Sequence, residues 1–153
     1  VFNHEPVDYL CPFCAFLREE WDDHNAATDL VAQEELSYAR IAPKWWPENP
    51  GSVLVIPTGH YENVYDLPAD VGHEVWDLTR RVAVAMRETF GCKGISTRQH
   101  NEPAGDQDVW HMHVHVFARK PGDHLYGRHG EASFVPAQER APWADRLRDQ
   151  LST

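Results

Sequence analysis

No apolar run in this chain approaches the roughly 18 residues that a membrane span requires. Nor does the amino terminus carry the basic, apolar and small-residue order of a secretory signal, so a cytoplasmic protein with no membrane partner is expected. Cations are scarce. Fourteen Lys and Arg stand against 24 Asp and Glu, a net charge of -10, which argues against a duplex nucleic-acid partner held by basic side chains on phosphates. Any phosphate bound here must be bound locally. Cysteine is also scarce: Cys11, Cys14 and Cys92 form an odd set, which favours metal or redox chemistry over structural disulfides in a reducing compartment. There is no internal repeat and no low-complexity segment. With 153 residues the chain has the size of one domain that buries about two thirds of its unfolded surface.

What is present centres on Trp110-His111-Met112-His113-Val114-His115-Val116-Phe117. Successive side chains of a strand point to opposite faces, so a strand over 109–118 puts His111, His113 and His115 on one face and apolar residues on the other. Three imidazoles about 7 Å apart repel one another when protonated, and such crowding points to a catalytic row or a metal site. Upstream, Cys11-Pro12-Phe13-Cys14 opens a short amphipathic helix, with Pro12 in the first turn and the thiols where the helix dipole favours thiolates. A lone Cys-x-x-Cys fits a redox pair or half a zinc site. No strand precedes it as a thioredoxin-like motif requires, which favours zinc.

Residues 1–10 read as a tail. Thr28–Gln33 and Leu36–Ala42 read as a hairpin, and 43–51, with three prolines and a glycine, as a loop whose Trp45 and Trp46 clamp the core or flank a flat ligand or a partner chain. Ser52–Ile56 reads as a buried strand. Asp70 is placed to cap a long helix running to about Phe90, whose stripe of Val71, Val75, Leu78, Val82, Ala85 and Met86 needs a sheet to cover it. Trp76 and His73 are expected to pack beside that stripe. Gly94–His100 reads as a strand and 101–108 as a polar loop. Residues 120–130 read as a loop, and Trp143, Leu147 and Leu151 mark a terminal helix.

These residues resemble the histidine-triad nucleotide-binding proteins. His111 to Phe117 has the family's His-x-His-x-His pattern. Asn101 to Val109 looks like its Asn…Gly-Gln-x-Val phosphate loop, Gly51 to Pro57 followed by His60 like its central strand, and Cys11 with Cys14 like the amino-terminal pair of its bacterial zinc-bearing, diadenosine polyphosphate hydrolase-like members. The resemblance covers roughly residues 11–119 and leaves 120–153 as a carboxy-terminal extension. It implies an α+β fold with a five-stranded antiparallel sheet, one long helix and short terminal helices, paired as a homodimer.

It also implies attack of the middle histidine, His113, on the α-phosphorus of a purine nucleotide, giving a nucleotidyl-histidine that water resolves. His115 then serves the leaving group and the phosphate, while Asn101, Gln107 and the backbone amides near Asp106 and Asp108 bind the phosphoryl oxygens. Cys11, Cys14, His60 and His111 form a structural zinc set. The chain departs from the pattern at Asp106, where Gly is common, at Asp108, where Ser, Thr or Glu is usual, and at Arg40, where relatives carry the acid that holds ribose. Two other readings are a catalytically weak nucleotide- or partner-binding module and a tri-histidine metalloenzyme. Turnover separates the first from the enzyme, and metal content the second.

Overall fold

The computed structural model describes residues 1–153. In chain order it runs α1 (Pro12–Leu17), β1 (Leu30–Gln33), β2 (Ser37–Ile41), β3 (Lys44–Trp45), β4 (Val53–Pro57), α2 (Ala69–Thr89), β5 (Gly94–Arg98), β6 (Val114–Arg119), β7 (Ser133–Phe134) and α3 (Ala137–Leu151). Five strands form one antiparallel sheet in the order β1-β2-β4-β6-β5, and β3 pairs with β7 in a separate two-stranded ribbon. This is the expected α+β architecture. No helix is long and apolar enough to cross a membrane.

Directly opposed residues of an antiparallel pair share a face, so the register divides the sheet. Ala39, Val53, Val55, Val114 and Val116 lie on the face covered by α2, whose Val75, Leu78, Val82 and Met86 are fully buried. Arg40, Leu54, His115 and Arg98 are joined through one another's pairings and therefore occupy the opposite face. That second face carries the chemistry. The amphipathic stripe of α2 is thus used as its spacing demands, but the helix begins after Pro68 with no side-chain cap, and Asp70 sits inside the first turn. Trp76, at 50% exposure, and His73 lie on the solvent side instead of packing.

Two expected loops contain structure. Residues 43–51 supply β3, and Trp45 and Trp46 are both buried; the partner strand β7 lies in the carboxy-terminal stretch, some ninety residues away, where no local signal could announce the pairing. Residues 120–130 lead into a 3-10 segment at Leu125–Glu131. The final helix starts at Ala137, earlier than its apolar spacing suggests, and carries Pro142 internally. It is fixed by a buried ionic cluster: Arg140 Nε and Nη2 donate to Asp29 Oδ1 and Oδ2 at 2.8 and 2.9 Å, and Arg40 Nη2 donates to Asp29 Oδ2 at 3.0 Å.

Residues 1–10 form no helix or strand, yet the backbone N–H groups of His4 and Glu5 donate to the Glu62 carboxylate at 2.6 and 2.9 Å. Gly51 enters β4 with φ +79, and a Cβ there would lie 2.5 Å from Trp143 Cε3. Gly51→Ala is therefore expected to cost about 2 kcal/mol, from a left-handed backbone and an overpacked contact together, measured by urea unfolding.

Candidate active site and metal centre

The histidine segment is only partly a strand. β6 begins at Val114, so His111 and His113 precede it in non-strand backbone, and the expected single row of three imidazoles is replaced by two separate groups. The cause is tertiary. Met112 N donates to Tyr61 O at 2.7 Å, which takes this part of the chain away from ladder pairing and lets His111 turn toward α1.

His111 is fully buried. Its Nδ1 lies 3.3 Å from Cys11 Sγ, 3.6 Å from Cys14 Sγ and 3.1 Å from His60 Nδ1, and Cys14 Sγ lies 3.4 Å from His60 Nδ1. Tetrahedral zinc with bonds of about 2.0–2.3 Å puts its ligand atoms roughly 3.3–3.8 Å apart, so the four donors fit a zinc ion. The outer ring nitrogens fit as well. His60 Nε2 meets Glu5 Oε1 at 3.1 Å and His111 Nε2 meets Pro57 O at 2.9 Å, the carboxylate and carbonyl partners that orient metal-binding imidazoles. Burial pushes the Cys11 thiol up to about 12 and the His111 imidazole down to about 4. A neutral His111 is the ligand form, and a bound cation is what would allow the buried thiol to ionise.

The second group is His113 and His115. His113 Nδ1 donates to His111 O at 2.7 Å, because a carbonyl can only accept, and this leaves Nε2 as the lone-pair nitrogen of the neutral ring. That Nε2 is 3.1 Å from His115 Nε2 and 3.5 Å from Asp108 Oδ1. Desolvation by burial holds the His115 pKa well below the ordinary imidazole value, so His115 is neutral at pH 7 and can donate an Nε2–H toward His113 or toward a substrate oxygen. The Phe13 ring packs edge-on to His113 with centroids 5.0 Å apart. One residue of the Cys-x-x-Cys turn therefore links the metal cluster to the reactive imidazole.

Both histidines open onto a cavity of about 250 Å³, lined also by Phe13, Arg40, Trp46, Leu54, Asp108 and Phe134. Phe134 stacks on His24 with centroids 3.8 Å apart and planes 8° apart. The polar loop is arranged differently from its expected residues' amides facing a ligand. Gln107 Nε2 donates to Glu62 O and Val109 O at 2.6 and 3.0 Å, while Asn101 Oδ1 accepts from Val64 N at 2.8 Å and its Nδ2 donates to Gln99 Oε1 at 2.9 Å. Both amides brace the loop. Asp106 takes a left-handed backbone with an exposed side chain, and its carbonyl lies 3.1 Å from His100 Nδ1. Arg40 is buried against Asp29 and held near pKa 10, where desolvation outweighs the carboxylate's pull.

Sequence reasoning overlooked three contributors. Phe134 lies in Ala-Ser-Phe-Val-Pro, a β-forming run that could have been read as a short strand. Glu5 stood in an unpatterned stretch, and Arg98 carried no signal beyond its strand.

The geometry agrees with proteins of known sequence and structure. The HIT domain profile matches residues 23–122. An uncharacterised HIT-like protein of Methanocaldococcus jannaschii is 28% identical over 134 residues, covering 85% of this chain and 95% of its own length. The bis(5'-adenosyl)-triphosphatase of Dictyostelium discoideum is 33% identical over 96 residues, 63% of each chain. Among solved structures, the zinc-bound histidine triad family protein of Mycobacterium smegmatis superposes with a TM-score of 0.73 at 26% identity, covering 93% of both chains. A domain match over most of the chain, a full-length relative, and a five-stranded sheet that sets His113 beside His115 converge on one assignment: the chain belongs to the HIT domain family.

Proposed function

We propose that the protein is a nucleotide hydrolase that cleaves at the α-phosphate of a purine nucleotide through a covalent nucleotidyl-histidine on His113. The observation that carries this reading is the 2.7 Å donation from His113 Nδ1 to His111 O, which leaves the Nε2 lone pair facing the cavity beside His115.

In the first step His113 Nε2 forms a bond to the α-phosphorus while the bond to the leaving-group oxygen or nitrogen breaks. The electron pair departs with that atom, which accepts a hydrogen bond from His115 Nε2–H and, where its basicity requires a proton, takes one from solvent, so that His115 stays neutral. Water then attacks the phosphorus and loses its proton to solvent, the N–P bond breaks with its electron pair returning to Nε2, and neutral His113 is left with a nucleoside monophosphate. Phe134, Trp46 and Leu54 offer an apolar slot for the base. Asp108, 3.5 Å from His113 Nε2, stabilises the positive ring of the intermediate.

Cys11, Cys14, His60 and His111 would hold zinc in a closed structural site, where the metal supplies cross-linking of α1 to the sheet and no chemistry on the substrate. The relative named as a bis(5'-adenosyl)-triphosphatase and the zinc-bound neighbour support the substrate class and the metal. The same reading pairs two chains across a two-fold axis, which light scattering tests. A second reading has a specific basis: Asp108, His113 and His115 place ligand atoms within 4.8 Å of one another, a spacing that a catalytic metal could use. Metal content of one zinc per chain supports the hydrolase described, and two supports a metalloenzyme.

Rapid quenching of the protein with diadenosine triphosphate, followed by intact mass measurement, is expected to show an added adenylyl group. Turnover with no adduct, and with inversion of configuration at a chiral α-phosphorothioate in place of the retention that two displacements give, would reject the covalent route.

A further inference from the structure

Six buried or half-buried arginines, Arg40, Arg81, Arg119, Arg128, Arg140 and Arg148, each hydrogen-bond a carboxylate. Arg98 is the exception. It is half-buried, its Nε is shielded from solvent with no partner, and it forms no ion pair in a chain with 24 acidic residues. Desolvating a guanidinium without a counter-charge is costly, so a folded chain that keeps one in this state holds it for something absent from its own sequence.

Three aromatic rings set its position. The guanidinium carbon lies 4.8 Å from the Phe117 ring centroid, 5.3 Å from that of Trp46 and 5.7 Å from that of Tyr126. Rings of this kind orient an arginine through its flat face and leave its five in-plane donors unspent. Arg98 is also directly opposite His115 in the β5-β6 register, so the two side chains rise from the same face as cross-strand neighbours. Trp46, one of the rings against Arg98, lines the cavity together with His115, and its Nε1 is likewise buried without a partner. Arg98 and Trp46 thus set two unused donor groups beside His115.

We infer that Arg98 is the receptor for an anionic leaving group, and that the preferred substrates are phosphoanhydrides, whose departing portion is itself a phosphate. This rests on the reading of His113 as the nucleophile. When His113 Nε2 bonds to the α-phosphorus, the bond to the bridging oxygen breaks and its electron pair stays on that oxygen. The oxygen becomes a terminal oxygen of the departing phosphate and carries the new negative charge. A guanidinium fork pairs with it in two parallel hydrogen bonds that strengthen as the charge develops. A phosphoramidate instead releases an amine that leaves neutral after taking a proton, and offers the fork nothing to bind.

The test compares kcat/KM for diadenosine triphosphate and for adenosine 5'-phosphoramidate in wild type, Arg98→Met and Arg98→Lys. Arg98→Met keeps an apolar stem against the rings, and the ratio of anhydride to phosphoramidate kcat/KM is expected to fall about 50-fold, with Arg98→Lys between. Near-UV circular dichroism checks folding; if the Met variant fails to fold, the Lys variant carries the comparison, with an expected fall of about tenfold in the same ratio. An unaltered ratio in a folded variant overturns the assignment. A changed oligomeric state with both substrates reduced equally also overturns it, by placing the guanidinium against a second copy of the chain. If wild type turns over neither substrate, the reading of His113 itself fails and this one with it, whereas a selective failure at Arg98 leaves His113 standing.

Discussion

Replacing His113 with alanine is expected to lower kcat for diadenosine triphosphate by about 10⁵-fold and to abolish the adenylyl adduct, because the variant has no atom that can bond to phosphorus. The loss should fall on kcat more than on KM. The cavity walls that hold the nucleotide, Phe134, Trp46 and Leu54, come from other elements, so ground-state binding survives the substitution. His115→Ala is expected to lose less, about 10²–10³-fold on a phosphoramidate, since it removes the hydrogen bond to the departing atom and leaves the nucleophile in place. Steady-state kinetics and quenched mass spectra for both variants check the order. A His115→Ala variant as inactive as His113→Ala would show that the pair acts as one unit, held through its 3.1 Å Nε2–Nε2 contact.

Cys11→Ser is expected to reduce bound zinc from one per chain to a small fraction and to lower Tm by about 10 °C, a loss of about 4 kcal/mol. The magnitude follows from what the cluster joins. Cys11 caps α1 through its Sγ, which accepts from Cys14 N, Cys14 lies one turn on, His60 follows β4 and His111 precedes β6. Backbone bonds already join the His60 and His111 segments, through Met112 N and Tyr61 O, and the metal site would tie α1 to them by more than side-chain contact. Mass spectrometry for metal and thermal unfolding with and without a chelator measure both effects. The sign with pH is fixed by the ligands: thiolates and neutral imidazoles bind metal, so zinc affinity and its share of stability fall as pH falls. If chelation removes zinc and leaves Tm in place, the site is not structural.

Much of this arrangement was readable in the linear order of residues. The apolar stripe from Val71 to Met86 dictated a long helix on a sheet, because a one-sided helix must cover that side. Cys-x-x-Cys with downstream histidines marked a metal set, because ligand chemistry restricts which side chains can serve. His113 and His115 were marked by their two-residue spacing, which keeps a common face wherever the backbone is extended.

What the order of residues could not carry was anything decided by partners far along the chain. Strict alternation put His111 in a row with the other two, but Met112 bonded to Tyr61 O releases that residue toward Cys11, a hundred positions away. Asn101 and Gln107 have the residue types of a phosphate loop, and only the folded loop shows their amides turned to Val64 and Glu62. Phe134 reaches the cavity because β7 pairs with β3. Arg98 is singled out by what it lacks, which is visible only after every other buried or half-buried arginine has been matched to its carboxylate. Sequence by itself determined the local periods and the chemistry available, since both depend on neighbours within a few residues. Tertiary structure alone decided which groups face each other and which remain unpaired, because those are properties of long-range packing.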